Sequence, residues 1–350
     1  MRHQIIKKSL YNLPFSSIII KYDYFIEGIV DFTLRENDNL LDIVVVSQDE
    51  ILCTTSKSLK LYNLKNKSIT PFKDSGNITH LKLLSDKRII TYDTKYLKMW
   101  ELTNFECPEH VFTHHTPYAY HIPLIKDIHV LPNNTLALYG NNNVIKIWDL
   151  HMEISFLDGH TQIVTCIYVL PNGKLVSGSK DNTLKIWNLS TYECEHTLIG
   201  HTREILTIGV IRDMICSTSE DATIRLWSYT ECIKVIKCKL HIVKTLNCGN
   251  KLFCLDRYNT KGSAVKVWNI DTEIRERLLK GNKCRIIDIQ LLPNDQIIGS
   301  SGEGFIIWHL TRKTRDSEWT STTYLNNFKI RILPDGTIVG ISQNYLFVWR

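Results

Sequence analysis

Two histidine–aspartate pairs, His160 with Asp181 and His201 with Asp221, are the residues of this chain whose types could do chemistry together. A histidine and a carboxylate beside serines (Ser177, Ser179, Ser217 and Ser219 here) suggest hydrolytic catalysis. That chemistry needs an exposed nucleophile as its third member, and a structural framework is the expectation adopted. His110, His114, His115 and His121 form the densest histidine group. Metal binding demands defined geometry and outer-shell support, so no metal is expected there; the expectation is a solvated insertion loop with chance histidines, of interest as a partner-contacting loop. The run Gly299-Ser300-Ser301-Gly302-Glu303-Gly304 is glycine-rich. It has no helix start behind it to cradle a phosphate. No GxSxG, HExxH, P-loop or GxGxxG occurs, so no catalytic residue, enzyme activity or cofactor is expected.

The elements that must position these residues repeat. Apolar runs close on Tyr62, Trp100, Trp148, Trp187, Trp227, Trp268, Trp308 and Trp349, at steps of 38, 48, 39, 40, 41, 40 and 41 residues. A period near 40 is the mark of a blade repeat. One unit is clearest after Gly159-His160. Ile163 to Leu170 reads as a strand, Pro171-Asn172-Gly173 as a turn, and Lys174 to Ser179 as a second strand. Lys180-Asp181-Asn182 is a polar turn, Thr183 to Leu189 a third strand with Trp187, and Cys194 to Ile199 a fourth. Gly200-His201 opens the next unit.

Gly159-His160 with Asp181 and Trp187, then Gly200-His201 with Asp221 and Trp227, resemble the WD-repeat family of β-propellers. The resemblance covers about residues 29 to 350 and implies an all-β fold. It also implies a buried polar tetrad in each complete repeat: His160, Ser179, Asp181 and Trp187, then His201, Ser219, Asp221 and Trp227, with Ser177 and Ser217 as possible substitutes for the serines. Asn282 stands where a histidine is expected and Asn142 where an aspartate is expected. Residues 256 to 262 enlarge one turn. Those blades are expected to rest on apolar packing and to be softer. Lys60, Lys98, Lys146, Lys185, Arg225 and Lys266 each stand two residues before an anchor, and the family has the same residue type there as framework, its charge snorkelling to solvent.

Eight anchors predict eight blades, with seven blades as the alternative. The chain ends directly after the last anchor, so the last blade lacks an outer strand, and an open sheet edge is a liability. The family borrows that strand from the N-terminus, and Ile29-Val30-Asp31-Phe32-Thr33-Leu34 has the right spacing. Residues 29–350 are therefore read as the propeller and 1–28 as an extension. The stretch Leu13-Pro14 followed by Ile18-Ile19-Ile20 resembles the opening of an F-box, a helical adaptor-binding motif, in truncated form; a hydrophobic edge strap is the preferred reading. The extension also looks like the lead-in of WD-repeat proteins of large DNA viruses.

Peptide-binding members of the family use the start of each first strand and the residue before the turn aspartate. Carried over, this points to Leu41, Thr79, Lys126, Thr165, Leu206, Lys244, Ile287 and Phe328, with Lys180, Glu220 and Arg203 beside them. The partner-binding candidates are Lys126, Lys180, Thr165, Arg203, Leu206, Lys244 and Phe328. The strand and pre-aspartate positions supply lysines rather than several arginines. Lysine lacks the bidentate fork, which favours an acidic or short linear peptide over a strongly bound phosphopeptide.

The net charge of +6 comes without a lysine/arginine block, so no nucleic-acid partner is expected. The ten cysteines include no CxxC, which suits a reduced compartment. No clean signal region or membrane span is evident, so the expectation is a cytoplasmic protein without membrane partners. The expected function is a non-catalytic, monomeric scaffold ring presenting a rigid face to a protein or peptide. The alternative is a substrate receptor of a ubiquitin ligase, its N-terminal segment docking an adaptor.

Overall fold

The computed structural model describes residues 30–72, 78–93, 96–102, 110–113, 125–149, 154–238, 242–256, 264–272, 274–280, 286–292, 296–301, 304–310, 315–320 and 329–349. The truncated F-box or strap reading of residues 1–28 lies outside them, as do Asn282, Phe328, His114, His115 and His121. His110 is on an outer strand, His110–Thr113, rather than in a loop.

Eight four-stranded antiparallel sheets follow one another along the chain as the blades of a propeller. In blade 4 the strands are Val164–Val169, Leu175–Ser179, Leu184–Trp187 and Cys194–Leu198, paired in that order. The sequence explains each. Positive φ at Gly173 (83°) lets the first turn close, and Asn182 (69°) takes the left-handed position of the second, a conformation asparagine tolerates better than most residues. The second strand, Leu-Val-Ser-Gly-Ser, is buried at every residue because a mid-sheet strand in a propeller is covered on both faces. The fourth strand is an outer edge and is mostly half-exposed.

All eight aromatic anchors lie on third strands, from Tyr62 in Leu59–Asn63 to Trp349 in Tyr345–Trp349. They help fill eight apolar clusters, one between each pair of neighbouring blades. The core is thus a ring of sandwiches. The ring closes as expected from spacing: Val30–Arg35 pairs antiparallel with Tyr345–Trp349 and completes blade 8. Leu34 of that strand packs with Leu40 and Ile43 of blade 1 and with Leu346 and Val348 of blade 8.

The first strands of neighbouring blades pack against one another, for example Lys329–Ile332 against Leu40–Val45 and Leu40–Val45 against His80–Leu83. They form the inner wall of the ring. Six of them carry a β-bulge at the same place, at Leu41, Lys126, Thr165, Leu206, Val243 and Ile287.

Candidate functional site

The two polar networks form with matching geometry. Trp187 Nε1 donates to Ser177 Oγ at 2.8 Å, and Ser177 Oγ lies 2.7 Å from His160 Nε2. His160 Nδ1 is 2.8 Å from Asp181 Oδ2, and Asp181 also accepts from the backbone N–H groups of Thr161 and Thr183. In blade 5, Trp227 donates to Ser217 at 2.8 Å; Ser217 is 2.8 Å from His201 Nε2, and His201 Nδ1 is 2.7 Å from Asp221. The carboxylate accepts only, so Nδ1 carries the proton and Nε2 accepts from serine. The backbone bond from Thr161 or Thr202 pins the loop between blades to the turn within a blade. Ser177 and Ser217 are both fully buried, so neither hydroxyl can meet a substrate.

The serines named first, Ser179 and Ser219, do not belong to these networks. Trp187 faces Leu175 in register. Ser177 is one same-face step from Leu175, about 7 Å, and Ser179 two steps, about 13 Å, beyond the reach of the indole. Ser179 instead donates to the Gln162 carbonyl and accepts from Asp181 N–H, and Ser219 does the same with Arg203 and Asp221.

Blades outside this pair use other chemistry. In blade 2, Trp100 Nε1 donates to Thr91 Oγ1 at 2.8 Å. In blade 1, Glu36 occupies the histidine's place: its buried carboxylate accepts from Tyr62 Oη and from Lys60 Nζ, each at 2.5 Å. Among the described residues Trp268 Nε1 of blade 6 has no acceptor, and Cys254 stands at its serine position. The cations before the anchors pack as framework. Arg225 lies over Trp227 and Lys98 over Trp100, at 5.8 and 5.9 Å from the rings. Gly200 makes room for this packing, since a Cβ there would stand 2.6 Å from Arg225 Nη1 and 3.1 Å from the Trp227 ring.

At the mouth of the ring the candidates divide. Lys126 is exposed, with Nζ 2.6 Å from the Thr165 carbonyl of the next blade and 5.8 Å from the Tyr139 ring centre. Thr165 Oγ1 donates to the Gly178 and Ile205 carbonyls and so bridges blades 4 and 5. Arg203 is exposed and Leu206 half-buried. Lys180 is paired with Glu204 of the adjoining loop at 3.3 Å. Lys244 is not a mouth residue equivalent to Lys126. The bulge of blade 6 falls on Val243, and Lys244 pairs with Leu255 one place further along the strand, where its ammonium meets Asp288.

The WD domain, G-beta repeat family model matches residues 152–188 and 192–228, the two blades with complete tetrads. The chain is an eight-bladed β-propeller that carries two WD repeats. The crystal structure of the computationally designed Ika8 protein superposes on it with a TM-score of 0.71 at 18% identity, covering 90% of this chain and 97% of that chain. The WD40 β-propeller domain of Doa1 superposes with a TM-score of 0.58 at 16% identity, covering 93% and 98%. Both likenesses are of fold. No curated protein matches the sequence. No helix among the described residues is long and apolar enough to cross a membrane.

Sequence reasoning missed a set of charges on the propeller's inner wall. Asp42, Asp127 and Asp288 sit one place past the bulge on their strands. Each accepts the backbone N–H of the residue after it and a lysine from the blade before: Lys329 to Asp42 at 3.0 Å, Lys82 to Asp127 at 3.1 Å, and Lys244 to Asp288. These latches tie blade 8 to 1, 2 to 3, and 6 to 7. An aspartate directly after three of the six bulges was the available signal.

The tetrads make stability depend on pH. Burial holds the His160 and His201 imidazoles below their ordinary value of 6.5, outweighing the attraction of their aspartates. Burial alone would raise the carboxyls of Asp181 and Asp221. Hydrogen bonds from Thr183 and Thr223, with those from the histidines, hold both below 3.8. A group depressed in the folded state stabilises above its unfolded value and loses that contribution as pH falls through the folded one. Thermal melting should therefore fall as pH drops below 6.5 and fall further below 3.8. A melting temperature that stays flat from about pH 7 to pH 5 contradicts this.

Proposed function

We propose that this propeller is a non-catalytic interaction platform whose ligand-facing surface is the channel mouth, and that its partner is a protein or linear peptide carrying acidic and apolar side chains. WD-repeat propellers serve in general as protein-interaction scaffolds. The observation that carries the reading is the ring of bulges. A bulge re-aims a side chain out of the ladder, and six first strands do so at the same level. The ring carries exposed Lys126, half-buried Leu206, and Ile287 at 46% exposure. Lys126 and nearby Arg203 supply the positive charge, while Lys180 and Lys244 are engaged by Glu204 and Asp288.

The test is a displayed-peptide selection on the intact chain, followed by affinity measurement on the recovered peptides. Lys126→Glu/Ile287→Asp is expected to weaken them at least about tenfold, the loss typical of central contacts. Peptides that bind the variant unchanged sink the mouth assignment. A ubiquitin-ligase receptor would instead capture its adaptor through residues 1–28. A chain starting at residue 29 that keeps peptide binding and loses an adaptor separates the two roles.

A further inference from the structure

The inner wall is unevenly charged. Blade 6 meets blade 7 through one pair, Lys244 and Asp288. The arc from blade 8 to blade 3 holds two pairs, Lys329 with Asp42 and Lys82 with Asp127, and Arg331 in addition. His80 stands among these charges, with Lys329, Asp42, Asp127 and Lys82 all acting on it.

The carboxylates of this arc have neutral donors besides their lysines. Asp42 accepts the backbone N–H groups of Ile43 and Leu81, each at 3.1 Å. Asp127 accepts Ile128 N–H at 2.8 Å and the Tyr92 hydroxyl at 2.9 Å, with His129 Nε2 at 3.6 Å. A carboxylate with neutral donors keeps part of its solvation when a cation turns away. The lysines are therefore the movable partners, each held at the lumen by a fixed acid. Arg331 is freer still: among the described residues Nη1 reaches only the Ile330 carbonyl, and Nη2 stands 3.8 Å from Asp42. The side chains of Lys82, Lys329 and Arg331 are each about one-third exposed. His80 stacks on Tyr92 at 5.0 Å and uses Nδ1 with Thr79 Oγ1 at 2.8 Å. Its Nε2 has no partner among the described residues.

We propose that this arc of the channel binds a phosphate group, with Lys82, Lys329, Arg331 and the Nε2 side of His80 as its donors. A monoanion would only replace what Asp42 and Asp127 already offer the two lysines. A multiply charged oxyanion gains on them, because Lys329 and Arg331 already converge on one Asp42 oxygen and can meet it together. His80 adds a fourth donor when protonated. Burial first, then the Lys329 charge, holds it neutral below its ordinary 6.5 in the empty channel, and a bound dianion reverses that balance. Binding therefore tightens as pH falls. The phosphate can be free or carried on a peptide. The proposal goes beyond the reading of the mouth, since a free anion tests it with no peptide present.

Calorimetric titration of the full chain uses three probes: inorganic tripolyphosphate, a phosphoserine peptide with neutral flanks, and the same peptide with glutamate for phosphoserine. At least one phosphate probe is expected to bind, and the glutamate peptide to bind at least about tenfold more weakly. Binding of both assigns a free-anion site, and binding of the phosphopeptide alone assigns a peptide-borne one. Arg331→Gln is the variant least able to disturb folding, and it should cost about tenfold or more in affinity with melting unchanged. Lys82→Gln/Lys329→Gln should cost more. The pH dependence that wild type shows between about pH 8 and 5.5 beyond the probe's own titration should vanish in His80→Asn. The proposal is overturned by silence with both phosphate probes, by unchanged affinity in Arg331→Gln and the double lysine variant, or by a glutamate peptide that binds as tightly as the phosphopeptide. A pH profile shared by wild type and His80→Asn removes His80 from the site.

Discussion

A chain beginning at residue 36 is expected not to close its ring, whereas one beginning at residue 29 is. Val30–Arg35 is the outer strand of blade 8, in register from Val30 opposite Trp349 to Arg35 opposite Tyr345. Removing it strips Leu34, 5% exposed, from the cluster joining blades 8 and 1. Truncating such a side chain to alanine alone costs about 2–5 kcal/mol. The whole stability of a domain is about 5–15 kcal/mol. Losing the strand also frees the edge of Tyr345–Trp349, and an unpaired, apolar edge recruits other chains. The 36–350 chain should melt far below the 29–350 chain and self-associate in light scattering. Equal melting and a monomeric mass for both would show that the seam contributes nothing. Leu34→Asp makes the same point without shortening the chain, because it places a charge inside that cluster.

The seam and the blade count were legible because they rest on large residues at regular intervals. Eight aromatics near a period of 40 survive the loss of every smaller motif letter, and the spacing of Leu34 before Leu40 repeats that of Ile199 before Ile205. What escaped depends on register. Lys244 was placed one position too early on the wall because the connection between anchor and wall strand varies in length: Val243 follows Trp227 by 16 residues, whereas Leu206 follows Trp187 by 19. The latches join residues far apart in sequence, Lys329 and Asp42 being 287 positions distant. The substitute network of blade 1 left a usable trace: Glu36 precedes Tyr62 by 26 residues, as His201 precedes Trp227. A carboxylate in place of an imidazole, joined to a phenol in place of an indole, preserves the geometry with different letters.

The serine of each tetrad shows why two residues of one type on one strand are not equivalent. Ser177→Ala is expected to destabilise the propeller strongly and Ser179→Ala weakly. The Ser177 hydroxyl accepts from Trp187 and donates to His160, and all three side chains are buried. Its removal strands an indole N–H and an imidazole nitrogen at once, each costing about 1–3 kcal/mol where water cannot enter. The imidazole loses the donor that kept Nε2 an acceptor, so the variant should also change how stability depends on pH in the range where His160 charges. Ser179 braces a turn. The Ser179 hydroxyl is itself buried, but its partners are the carbonyl of exposed Gln162 and the backbone N–H of half-buried Asp181. Water can replace a lost hydroxyl there, and the cost should stay near about 1 kcal/mol. Denaturant melts of the two variants decide the matter, and the reverse order of stability would return Ser179 to the network. Ser217→Ala and Ser219→Ala repeat the contrast in the next blade, where the same bonds recur within about 0.2 Å of those in blade 4.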